Sequence, residues 1–184
     1  QISANGGVVE GVAYGDEPAK GRAIYLGTRQ AAELLKKMGV SVPKVKEGYG
    51  LVVTGNAAAV MGSDDRGTFY GTMTLLNLIA KVTSGPQLVA AVIEDWPDLP
   101  FRGTYGVYGG DIQVAAETCA RLKLNAMVIE SGDFYRLDDQ AKRKKWQQWA
   151  EVLRRHYIEL IPEIQSFGHG GQVLSINPNC AEGV

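Results

Sequence analysis

The sequence predicts an α/β protein in two parts, and three observations lead to this prediction. Short apolar runs with the composition of strands alternate with segments whose apolar residues recur at helical spacing. A segment with two prolines, residues 94–102, separates two different rhythms of these elements. Of the 184 residues, 45% are hydrophobic and the formal net charge is -1, which is the balance of an ordinary globular protein.

The first part has the order β-α-β-β-α-β. Its predicted elements are strand 22–28, helix 30–38, strands 49–54 and 57–61, helix 64–79 and strand 88–93. Gly39 ends the first helix, and the turn-forming pair Gly55-Asn56 separates the middle strands. Asp64 and Asp65 provide acidic residues at the start of the second helix. This order predicts a small sheet with its helices on one face.

The second part alternates strictly between strands and helices. Its predicted elements are strand 103–108, helix 111–123, strand 126–130, helix 138–156 and strand 158–164. The helices are long enough for right-handed crossovers, so the three strands are predicted to be parallel neighbours. Such a sheet has an open edge, which we expect to be covered by further residues or by a second copy of the chain.

Several classes of partner are excluded by composition. A net charge near zero provides no field for nucleic acid or an anionic membrane, and no apolar run approaches the length of a membrane span. Cys119 and Cys180 have no metal-ligand spacing, so we expect two unpaired thiols, no metal and no cofactor. The chain starts with Gln1, from which we expect a removed signal peptide and an extracellular or periplasmic location.

Four segments of the chain resemble one family of enzymes. Residues 47–79 and 93–103 resemble the accessory domain and junction of family 20 glycoside hydrolases, the β-N-acetylhexosaminidases. Lys123-Leu124-Asn125 and residues 161–169 (IPEIQSFGH) stand where that family has a Lys-x-Asn turn and an Ile-Pro-Glu-Ile-Asp strand followed by Gly-His. The resemblance implies an accessory α/β domain, residues 1–96, followed by an incomplete (β/α)8 barrel with about three strands, residues 97–184.

The resemblance also implies an activity, the removal of terminal N-acetylhexosamine residues from glycans by substrate-assisted retaining catalysis. That family places a catalytic Asp-Glu pair after its fourth barrel strand. No such strand is present, so no catalytic residue is assigned and these 184 residues alone are expected to be inactive. Gly109 or Gly110 replaces a sugar-binding arginine of the family, and Gln165 replaces an aspartate. A divergent glycosidase and a non-catalytic carbohydrate-binding or interaction protein of the same fold both remain open.

Candidate ligand-binding residues follow the carboxyl ends of the three strands, where barrel enzymes bind their substrates. The predicted substrate-binding residues are Tyr108, Glu130, Asp133, Tyr135, Gln165 and His169. Glu130 either faces the ligand or forms a salt bridge with a neighbouring loop. His169 lies between glycines and either approaches the ligand or bonds a backbone carbonyl. Phe134 and Tyr135 are predicted to stack on a sugar ring.

Overall fold

The computed structural model describes residues 21–82, 85–107, 110–165, 168 and 171–181. The chain divides into two compact units, Gln1–Pro100 and Phe101–Val184, and the division falls within the proline-containing segment that the sequence analysis singled out. The mixed α/β fold that the sequence predicts is confirmed. The first unit contains β1 (Ala23–Leu26), α1 (Arg29–Lys37), β2 (Tyr49–Val53), β3 (Ala57–Gly62), α2 (Asp65–Asn77), β4 (Ile79–Val82), β5 (Gly85–Leu88) and β6 (Ala91–Asp95).

The first unit is built on a four-stranded sheet with the order β1-β3-β2-β6. The strand β1 runs parallel to β3, whereas β2 is antiparallel to both β3 and β6. Every residue of β2 is buried. A strand that is buried at every position needs cover on both faces of the sheet, and this requirement decides where the helices lie.

The two helices of this unit pack on opposite faces of the sheet, so the prediction of one shared face is wrong. Leu35 of α1 packs with Val52 of β2, whereas Tyr70 of α2 packs with Leu51. Since consecutive strand residues point to opposite faces, Leu51 and Val52 identify two separate cores. The uninterrupted apolar run in β2 is the sequence signal for two-sided burial.

A second sheet in this unit is a hairpin of β4 and β5, which the sequence analysis did not predict. The helix α2 ends at Asn77, with Leu78 as its C-cap, and Ile79 begins β4. The helical spacing of apolar residues continues to Ile79, which made the predicted helix too long. The predicted strand 88–93 joined the end of β5 to the start of β6.

The second unit is built on a parallel sheet with the order β7-β8-β9, as predicted. Its elements are β7 (Gly103–Tyr105), α3 (Ile112–Arg121), β8 (Ala126–Glu130), a 3₁₀ helix (Gly132–Arg136), α4 (Gln140–Arg155), β9 (Glu159–Glu163), α5 (Gly171–Ile176) and a 3₁₀ turn (Pro178–Cys180). Both α3 and α4 pack on one face of this sheet. The core there consists of Ala115, Ala116, Cys119, Met127, Ile129, Trp146, Leu153 and Ile158.

The Lys-x-Asn turn connects the starts of all three strands. Lys123 adopts a left-handed backbone conformation (φ 57°), and its carbonyl accepts a hydrogen bond from the Arg102 guanidinium. The Asn125 side chain accepts the Arg102 N–H at 2.8 Å, and the Asn125 carbonyl accepts the Glu159 N–H at 2.9 Å. Asn125 therefore aligns the strands at the end of the sheet opposite the predicted ligand-binding edge.

The strand β7 ends three residues earlier than predicted, at Tyr105 rather than residue 108. Gly106 follows with a positive φ of 80°, a conformation that glycine adopts without strain and other residues rarely adopt. Tyr105, and not Tyr108, is therefore the last residue of the first parallel strand.

The two cysteines are free thiols, as the sequence predicts. Cys119 is buried in α3, where burial raises the pKa of its thiol, and Cys180 is exposed. No helix in the described parts of the chain has the length and apolar character that a membrane crossing requires.

Candidate functional site at the carboxyl ends of the parallel strands

The face of the parallel sheet opposite α3 and α4 carries polar side chains at the ends of its strands, among them the predicted residue Glu130. Met127 and Ile129 point into the helical core, so the alternating residues Val128 and Glu130 point to the other face. Tyr105 is in register with Val128, and Glu163 is in register with Glu130. The ends of all three strands therefore present side chains with oxygen atoms on one face.

Tyr105, Glu130 and Glu163 form a cluster at the carboxyl ends of the three strands, with a hydrogen bond between Tyr105 and Glu130. The Tyr105 hydroxyl donates to Glu130 Oε2 at 2.9 Å. This bond raises the pKa of Tyr105 to about 12, and the nearby Glu163 carboxylate adds to the shift, because both negative charges oppose ionisation of the phenol. Tyr105 is 53% exposed and Glu130 is exposed, so the cluster is accessible to a ligand.

The 3₁₀ helix after β8 contacts α4 through Asp133. One carboxylate oxygen of Asp133 lies 3.2 Å from Lys142 Nζ, and the other lies 3.0 Å from Lys145 Nζ. Trp146 Nε1 donates to the second oxygen at 3.3 Å. These contacts lower the pKa of Asp133, with the hydrogen bond from Lys145 as the largest cause.

The aromatic residues of the same segment point in different directions. The Phe134 ring packs on Trp146 with the ring centroids 4.4 Å apart, so it contributes to the helical core and its predicted stacking on a sugar is not supported. The Tyr135 hydroxyl donates to the backbone carbonyl of Gln165 at 2.6 Å. Two predicted site residues thus meet directly, one after β8 and one after β9.

The predicted site residues fall into three groups. Tyr135 and Gln165 contact each other, Glu130 contacts Tyr105, and Asp133 contacts α4. Tyr108 and His169 lie outside the described residues. These placements do not test ligand binding, which stays a prediction for all six residues.

The sequence pattern does not indicate Tyr105 or Glu163 as site residues. Gly106 is the signal that could have moved the end of β7 to Tyr105, because a glycine inside an apolar run weakens a strand and often marks its bend or end. Glu163 lies inside the Ile-Pro-Glu-Ile run, and its place opposite Glu130 depends on the register of β8 and β9. That register cannot be read from either strand alone.

The arrangement is suited to a neutral ligand rich in hydroxyl groups. Exposed carboxylates accept hydrogen bonds from sugar hydroxyls, and Tyr135 in the 3₁₀ helix after β8 supplies an aromatic ring. Within residues 21–82, 85–107, 110–165, 168 and 171–181, no group of three or more His, Cys, Asp or Glu side chains could hold a metal ion.

Comparison with known proteins gives the same family for the first unit. Residues 10–96 match the model described as glycosyl hydrolase family 20, domain 2. The beta-hexosaminidase of Porphyromonas gingivalis is 27% identical over an alignment of 213 positions, and the alignment spans 92% of this chain. Alpha-glucuronidase A of Emericella nidulans is 31% identical over 101 residues, which cover 48% of this chain and 12% of that protein.

A solved structure has a similar fold over most of the chain. The exo β-N-acetylglucosaminidase of family 20 from Vibrio harveyi, crystallised with N-acetylglucosamine, matches 89% of this chain and 35% of its own chain, with a TM-score of 0.63 and 17% identity. The chain spans about a quarter (25%) of the length of the Porphyromonas hexosaminidase. At this identity the structural likeness describes the fold alone.

Proposed function

Residues 10–96 match the second domain of glycosyl hydrolase family 20, and from this match we propose that the chain belongs to that family and is part of an exo-acting glycosidase acting on terminal N-acetylhexosamine. In the reaction we propose, the acetamido oxygen of the sugar attacks its own anomeric carbon while a carboxylic acid protonates the departing oxygen. No adjacent Asp-Glu pair follows β7, β8 or β9 within the described residues, and we propose that a longer protein supplies the acid from a part outside them.

The observation that carries this proposal is the cluster of Tyr105, Glu130 and Glu163 at the carboxyl ends of three parallel strands. In (β/α)8 enzymes the substrate binds at the carboxyl ends of the barrel strands. We propose that further barrel strands pair with the outer edges of β7 and β9, which have no strand partner in the described part of the chain. The proposed location remains extracellular or periplasmic, where glycans with terminal amino sugars are found.

Hydrolysis of a nitrophenyl N-acetylglucosaminide by the complete protein tests the activity. We expect turnover by the complete protein and none by the 184 residues alone. Replacing Glu130 with Gln in the complete protein is expected to lower kcat/KM by about 10- to 100-fold, because a charged hydrogen-bond acceptor is lost. Glu159→Gln is the matched control, since Glu159 begins β9 at the other end of the sheet and should leave kcat/KM unchanged.

A non-catalytic carbohydrate-binding protein is the second candidate function. Gly110 supports it, because its φ of 72° is a conformation that an arginine rarely adopts, so the family's sugar-binding cation has no simple equivalent at that position. Calorimetric titration with N-acetylglucosamine and chitobiose separates the two candidates. Binding without turnover by the complete protein supports this second function, and absence of both binding and turnover contradicts both.

A further inference from the structure

The Asp133 carboxylate already binds three side chains of α4, which leaves little of it free to contact a ligand. A carboxylate offers about four acceptor positions, and the side chains of Lys142, Lys145 and Trp146 already use three of them. The side chain of Asp133 is only 23% exposed. Its backbone is fixed as well, because the Asp133 N–H donates to the Ser131 hydroxyl at 3.2 Å.

The lysine that binds Asp133 most closely is itself held in place. Lys145 Nζ lies 4.8 Å from the ring centroid of Trp146 and 5.2 Å from that of Trp149. Cation–π contacts of this kind restrict an ammonium group that would otherwise move freely at the surface. Trp146 is buried in the core of the second unit. The carboxylate of Asp133 therefore binds two side chains of α4, Lys145 and Trp146, that are themselves held in place.

Three consecutive residues connect α4 to the segment after β9. A 3₁₀ helix has three residues per turn, so neighbouring side chains leave it in different directions. Asp133 and Phe134 both contact Trp146, whereas Tyr135 donates to the Gln165 carbonyl. The segment Gly132–Arg136 thus forms a bridge between the helical side of the sheet and the carboxyl end of β9.

We infer that Asp133 is a positioning residue, which holds Gly132–Arg136 against α4 so that Tyr135 fixes the backbone at Gln165. This role differs from the substrate contact that the sequence predicts for Asp133. The inference rests on the proposed function only where it concerns the sugar. The mechanical connection from Asp133 to Gln165 is independent of any ligand and can be measured in its absence.

Hydrogen exchange in the chain without ligand tests the connection. We expect Asp133→Ala to accelerate amide exchange about three- to tenfold in Gly132–Arg136 and also in residues 159–165, since each charged hydrogen bond contributes modestly at a partly exposed site. The central turns of α4 should exchange as in the unmodified chain. Asp138→Ala is the matched control, because Asp138 is exposed in the same loop and should change neither segment.

The same experiment has clear contrary outcomes. Exchange that is faster only in Gly132–Arg136 would show that Asp133 fixes its own segment and nothing after β9, which overturns the inference. Unchanged exchange in both segments overturns it as well. Accelerated exchange throughout the second unit would mean general destabilisation. The milder Asp133→Asn substitution then decides the question by the same comparison of the two segments.

Sugar affinity gives a second measurement. If Asp133 acts through Tyr135, then Asp133→Asn and Tyr135→Phe should each weaken N-acetylglucosamine binding severalfold, and the double variant should be no weaker than the worse single variant. If the loss of affinity in the double variant equals the product of the two single losses, Asp133 and Tyr135 act independently and the inference is overturned. If the unmodified protein does not bind the sugar, the proposed function fails, but the exchange experiment still decides the role of Asp133.

Discussion

The hydrogen bond between Tyr105 and Glu130 can be tested directly by titration. A pKa of about 12 for Tyr105 and an ordinary value of about 10 predict very different ionisation at about pH 11. The native Tyr105 should then be about one tenth ionised, whereas an unperturbed tyrosine would be about nine tenths ionised. Glu130→Gln should move the pKa most of the way back, because the bond to Glu130 is the largest cause of the shift.

Carbon NMR of ring-labelled tyrosine follows this titration, and Tyr105→Phe assigns the signal among the eight tyrosines. Glu163→Gln should produce a smaller decrease in the pKa than Glu130→Gln, and Glu159→Gln none. Because the pKa of the folded state is raised, the bond stabilises the fold fully below about pH 10 and loses this effect as the pH rises through about 12. A Tyr105 that titrates near its ordinary value would refute the cluster.

Two further predictions concern stability, measured by urea unfolding. Alanine usually stabilises a helix relative to glycine, but Gly67→Ala in α2 should destabilise by about 2–4 kcal/mol, because its Cβ would lie 2.3 Å from the Gly48 carbonyl oxygen. Gly55→Ala, which meets nothing within 4 Å, should stay within about 0.5 kcal/mol, and equal effects at the two glycines would contradict the packing argument. Asn125→Ala should cost about 1–3 kcal/mol by removing the acceptor of the Arg102 N–H. An unchanged unfolding midpoint would show that Asn125 does not align the strands.

Strands and helices with local boundary signals were predicted accurately. Residues 126–130 form β8 with the predicted bounds, because an apolar run between a turn asparagine and a serine has no competing interpretation. The long helix α4 also follows from local spacing, since the predicted helix 138–156 contains its observed bounds. In both cases the information lies within one segment of the chain.

The features that were missed depend on more than one segment. The two faces of β2 receive different helices, and only three-dimensional packing shows which helix covers which face. The meeting of Tyr105 with Glu130 depends on the register between β7 and β8, and a shift of one residue would place Tyr105 on the helical face. A site formed by the ends of three strands is therefore harder to predict than the strands themselves.

The surroundings of Tyr105 connect the fold to the proposed function. Parallel sheets bury both faces, yet in the described residues helices cover one face of β7-β8-β9 and Tyr105 remains 53% exposed on the other. If further barrel strands enclose this face in the complete protein, the local dielectric falls and the bond to Glu130 becomes stronger. Burial and the neighbouring carboxylates both oppose ionisation of the phenol. The pKa of Tyr105 should then be higher in the complete protein than in the isolated chain, and equal values would argue against an enclosing barrel.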